Sequence, residues 1–106
     1  MSEKNLTVKD FDKIIKENDL VLVDFWAAWC GPCQMMEPIV KEITKEVKKV
    51  VVGKVNIDKE NKLATKFHVM SVPTFLLFKS GEVADQIVGA VSKNELINLI
   101  EKNSRK

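Results

Sequence analysis

The sequence is poor in cysteine, with two in 106 residues, Cys30 and Cys33. A small secreted scaffold stapled by bridges carries several more, so that class does not fit. Histidine is scarcer still. The one imidazole, His68, cannot join two thiols to make the four-ligand set that structural zinc prefers. No apolar run approaches the about 20 residues that a membrane-spanning helix needs. The opening stretch, MSEKNLTVKD, is polar and charged, without the apolar core of a signal peptide. A cytoplasmic location is therefore expected. Charge of one sign is also missing. Seventeen basic residues face fifteen acidic ones, for a net charge of +2. That balance offers no footing for nucleic acid or an anionic membrane as the main partner. There is no repeat, low-complexity tract or linker, and glycine and proline are few. One domain over residues 1–106 is expected, with 45% apolar residues to fill one modest core.

What is present alternates between helical and extended patterns. Thr7, with Asp10 three residues on, resembles a capping box. It predicts a first helix from about Thr7 to Asn18, with Val8, Phe11, Ile14 and Ile15 on its inner face. A strand is expected over Leu20–Trp26. A long helix follows from near Pro32 to about Lys48, with Met36, Ile39, Val40, Ile43 and Val47 as its apolar stripe. Pro38 removes one donor inside it and should bend it. Residues 50–57 read as strand, Lys59–Phe67 as a short helix, and 73–79 as strand. The KSGE stretch reads as a tight turn, and VADQIVG as a returning antiparallel strand. The last helix starts near Ser92, boxed by Glu95, with Leu96, Ile97, Leu99 and Ile100 inward. A strand–helix–strand crossover of this length implies a parallel, right-handed pair. The added hairpin makes an α/β fold, a mixed sheet with helices on both faces.

The chemistry sits in WCGPC. Pro32 suits a first helical turn, so Cys30 lies at the helix threshold and Cys33 inside its first turn. Free amides and the helix dipole there stabilise a thiolate at Cys30. Positions i and i+3 of a helix place Cα atoms about 5 Å apart, within the range of a disulfide. A purely structural bridge is the bland alternative, but closing so short a loop stabilises by only about 2 kcal/mol. A metal site is the other, and it lacks ligands. Thiol–disulfide exchange is favoured over both.

The stretch VDFWAAWCGPCQMMEP resembles the active-site segment of the thioredoxin family, and VPTFLLFKSGEVADQIVGA is similar to that family's later strand–loop–strand segment. The resemblance covers nearly the whole chain. It implies the thioredoxin fold, with a central mixed sheet of four or five strands. Only about Ser2–Asn5 are available for the family's first strand, so a short one is expected. It also implies a protein-disulfide reductase activity, with Cys30 as nucleophile and Cys33 as resolving thiol. The partners implied are disulfide-containing proteins and an NADPH-dependent flavin reductase that returns the electrons. No bound cofactor or metal is expected, and a monomer is. A subunit or holdase using the same surface, and an oxidase or isomerase of the same fold, are the competing classes. The uncharged Gly31-Pro32 dipeptide favours a reductant, because it adds nothing to stabilise the thiolate. Gln34 stands where many family members carry a basic residue.

Asp24 is the odd residue in LVLVDFW. By alternation it shares a face with Leu20 and Leu22, so it should be buried, with its pKa raised by desolvation. That suits it to accept the proton of Cys33 directly or through water. The resemblance implies the same role, and a tuning role for Lys54 on the neighbouring strand. It also makes the Val72–Pro73 bond cis, where an ordinary X-Pro bond is trans. Trp29, Gly31, Pro32, Val72, Pro73, Val88, Gly89 and Ala90 then form an apolar patch that binds partners beside Cys30. Trp26, Met35 and Met36 read as packing residues, and His68 as a solvated residue at a helix end.

Overall fold

The computed structural model describes residues 3–104. Nine elements follow one another: β1 (Lys4–Asn5), α1 (Phe11–Glu17), β2 (Leu20–Trp26), α2 (Gly31–Glu46), β3 (Val51–Asn56), α3 (Asn61–Lys66), β4 (Thr74–Lys79), β5 (Glu82–Val88) and α4 (Lys93–Ser104). The five strands form one sheet in the order β1-β3-β2-β4-β5. β1 and β2 run parallel to β3, while β4 is antiparallel to both β2 and β5. The first strand is as short as expected, and Ser2 lies outside the described residues.

Alternation along the central strands divides the core in two. Leu20, Leu22, Val52, Phe75 and Leu77 point to one face, where α2 and α4 cover them with Met36, Val40, Ile43, Leu96 and Ile100. Val21, Val23, Phe25, Val55, Leu76 and Phe78 point to the other, against Phe11 and Ile15 of α1 and Leu63 of α3. Every one of β2's first six residues is buried. That is why the strand reads as an apolar run on both faces, broken only by Asp24.

One cap and one turn follow from local chemistry. Ser92 and Glu95 form a full reciprocal box: Glu95 N donates to Ser92 Oγ at 3.1 Å and Ser92 N to Glu95 Oε1 at 3.3 Å. Ser80 and Gly81 both take positive φ, 52° and 87°, between the paired residues Lys79 and Glu82. That is the type I′ geometry which matches strand twist. α2 passes through Pro38 as one continuous helix, with Pro38 on its exposed side.

The first helix departs from expectation. It starts at Phe11, not Thr7. Asp10 Oδ1 reaches back to accept from Thr7 N at 2.7 Å, so the pair closes a turn before the helix and does not cap it. Val8 consequently faces solvent, 48% exposed, while its backbone N donates to Glu60. Phe11 and Ile15 are buried on the inner face, with Ile14 half-buried against the same cluster. Met35 is a second correction. It is 71% exposed, whereas Met36 is buried. Neighbouring helical positions lie about 100° apart, so one apolar stripe cannot take both.

Candidate functional site

The site begins where β2 ends and α2 starts. Ala27 O accepts from Cys30 N at 3.2 Å, and Cys30 O accepts from Gln34 N at 3.2 Å, which sets the first helical turn. Cys30 is the N-cap, extended at φ −93° and ψ 110°, and Pro32 lies just inside the helix. Cys33 N donates to Cys30 Sγ at 3.1 Å. A helix-end amide is thus aimed at the sulfur that would carry charge on reduction. The two cysteines are joined as a disulfide, their Cα atoms 5.3 Å apart. Both are buried in a small cluster with Ala27, packed by Trp26, Ile57 and Val72.

Around the bridge the surface is open. Trp29 is 68% exposed, its indole Nε1 donating to Asp58 Oδ2 at 2.9 Å. Gly31 and Pro32 are exposed beside it. The Val72–Pro73 bond is cis, as the resemblance implied and ordinary X-Pro statistics did not. Pro73 itself is buried, and Val72 is half-buried against the cysteine cluster. Gly89 N donates to Pro73 O at 2.8 Å, with Gly89 at φ 101°, where a side chain would be strained. Val88 and Ala90 flank it, both exposed. Met70, almost fully exposed three residues before Pro73, was not foreseen; its place next to the VPT stretch was the available signal.

Beneath the bridge the residues are charged. Asp24 is 2% exposed on the face that α2 covers. Its Oδ1 has no hydrogen-bond partner. Burial pushes its carboxyl up to about 7; Lys54 opposes the shift, while Glu37 and Glu3 add to it. Lys54 sits directly across from Asp24 in the β2–β3 register. Its ammonium does not close on Asp24, however. It donates to Glu37 Oε1 and lies 4.7 Å from the centre of the Trp26 ring. Glu37 was missed in the sequence, although it stands four residues after Cys33 and hence on the same side of α2. A pocket of about 410 Å³ is lined by Trp26, Ala28, Cys33, Gln34, Glu37 and Lys54. It connects Cys33 with the charged group. Among the described residues no group of three or more His, Cys, Asp or Glu side chains is placed to hold a metal ion.

Residues 2–102 match the thioredoxin family profile. The chain belongs to the thioredoxin family. It is 48% identical over 101 residues to a thioredoxin of Rickettsia felis, covering 93% of this chain and 96% of that one. It is 44% identical over 101 residues to a thioredoxin of Chlamydia pneumoniae, covering 95% and 98%. The backbone agrees. A mutant thioredoxin from Halobacterium salinarum superposes with a TM-score of 0.93 at 35% identity, covering 99% of this chain and 93% of that one. Oxidised thioredoxin from Plasmodium falciparum gives 0.88 at 39% identity, covering 98% and 100%. The activity follows from family and site together. The chain is a dithiol–disulfide oxidoreductase that reduces protein disulfides, closing the Cys30–Cys33 bridge seen here. No helix among the described residues is long and apolar enough to cross a membrane.

Proposed function

We propose that reduction proceeds by two exchanges with Asp24 as the proton acceptor. Cys30 thiolate attacks one sulfur of a target disulfide. A mixed disulfide forms, and the other target sulfur leaves as a thiolate. Cys33 passes its proton to the Asp24 carboxylate and attacks Cys30 Sγ. The Cys30–Cys33 bond closes and the second target thiolate departs. The observation that carries this reading is the buried Asp24 carboxyl, its Oδ1 unpartnered and its pKa near 7. A group poised there can both take and return a proton at neutral pH. Trp29, Gly31, Pro32, Val72, Pro73, Val88, Gly89 and Ala90 form the surface that receives the target, with Val72 backbone pairing an extended segment by strand addition. Lys54 tunes Asp24 from the neighbouring strand.

The bridge is returned to the dithiol by an NADPH-dependent flavin reductase. The protein works as a cytoplasmic monomer on disulfide-containing proteins. The test is turnover of insulin disulfides with NADPH and a flavin thioredoxin reductase. Full turnover that needs the reductase supports the reading. Intact, reduced cysteines with no turnover overturn it.

A further inference from the structure

Lys54 is the one lysine whose backbone pairs with Asp24, and strand register alone would match the two charges. The ammonium instead bonds Glu37, which reaches it from α2. The Lys54 side chain is 9% exposed and that of Glu37 36%, so the pair is partly sealed from water. The Trp26 ring holds the ammonium from another side. Asp24 Oδ1 is left without a donor. The groups that face Asp24 with charge are Lys54 from β3, Glu37 from α2 and Glu3 ahead of β1. From β4 its register neighbour is the apolar Phe75. Of these carboxyl groups Glu37 holds the buried ammonium, while Asp24 Oδ1 and Glu3 Oε2 are both without a hydrogen-bond partner. Glu37 and Lys54 also line a second, outer pocket of about 540 Å³ with Glu3, Asn5, Lys41, Thr44 and Lys45. The ion pair is common to that pocket and to the one holding Cys33.

We propose that Glu37 is a positioning residue that engages Lys54, keeps its ammonium from closing on Asp24, and thereby sets the pH at which the carboxyl beneath Cys33 exchanges its proton. The inference deepens the proton-acceptor role of Asp24 and rests on it for its catalytic meaning. Two effects act in the same direction. The Glu37 carboxylate repels a second negative charge nearby, and it occupies the cation that would otherwise neutralise Asp24. Removing Glu37 removes the first and releases the second, so Asp24 should ionise at lower pH. Lys54 freed in this way has Asp24 as its register neighbour, while Lys41 and Lys45 lie in the outer pocket.

The experiment is a carbon-13 NMR titration of the Asp24 carboxyl in the whole protein, for the native chain, Glu37→Gln and Glu37→Asp. It is run beside the pH profile of disulfide reduction for the same proteins and for Asp24→Asn. Glu37→Gln is expected to lower the Asp24 midpoint by about one pH unit, a tenfold change in proton affinity. Glu37→Asp, which keeps the charge, should restore most of it. A purely structural Glu37 would not be rescued by charge in this way. A midpoint that stays in place or rises in folded Glu37→Gln overturns the inference. A midpoint that falls upholds it; if Asp24→Asn then reduces disulfides at the native rate and pH dependence, the proton-acceptor role falls instead.

Discussion

The two faces of the sheet obey the same alternation and end differently. On the α1/α3 face, Val21, Val23 and Phe25 run the length of β2 as apolar residues. They meet an aromatic group in which Phe11, Phe67 and Phe78 pack with ring centres 5.3–5.6 Å apart. On the α2/α4 face, Leu20 and Leu22 begin the same way, but the next position is Asp24. Its neighbour on β3 is Lys54, where Val52 had continued the core. One face is all packing. The other gives up packing where the strand runs under the thiols. Burying an acid there destabilises the fold, and that cost falls beneath the thiols, where Asp24 is proposed to take a proton during exchange.

The comparison can be broken first at the sulfur. Cys30→Ser should abolish insulin reduction while leaving the far-UV spectrum and the thermal midpoint of the reduced protein nearly unchanged, since no packing on either face is lost. Asp24→Asn comes next, and its sign follows from linkage. The folded carboxyl has a pKa near 7 against 3.8 for the ordinary group. Between those values the folded state binds more protons than the unfolded one, so native stability falls as pH rises through that window. Above pH 7 the full penalty is present, about 4 kcal/mol. The variant should therefore be the more stable by up to that amount at pH 8, and level with the native chain near pH 4. Urea unfolding at the two pH values reads it. Equal stability at pH 8 would mean that the face tolerates the charge.

Phe11→Ala should do the reverse on the opposite face. It removes a fully buried ring from the aromatic group and should cost about 3–4 kcal/mol at every pH. Disulfide reduction per folded molecule should stay at the native level, as measured by denaturant titration beside an activity assay. The smallest effect is at the exposed start of α4. Ser92→Ala loses the Oγ acceptor for Glu95 N and should cost about 1 kcal/mol, seen as a few degrees in thermal midpoint.

Much of this was legible because the signals are local. The run LVLVDFW, the proline in WCGPC and the Ser92–Glu95 spacing each specify their own element, and all three fold as expected. The burial of Asp24 was legible too, because alternation with Leu20 and Leu22 depends only on the strand. Where two local options compete, the reading slipped. The Asp10 side chain satisfies Thr7 N in a turn and so delays the helix by four residues. Glu37 was invisible for another reason. Its partner lies 17 residues away, and only the docking of α2 on β3 brings the charges together. The cis Val72–Pro73 bond came from resemblance alone, since the dipeptide itself favours trans.

The most direct test of the buried acid is the rate at which Cys33 resolves a mixed disulfide on Cys30, followed by rapid mixing from pH 5 to 9. The native chain should speed up through about pH 7, where Asp24 loses its proton, and Asp24→Asn should be about 100-fold slower without that inflection. Superimposable profiles for the two proteins would contradict the account.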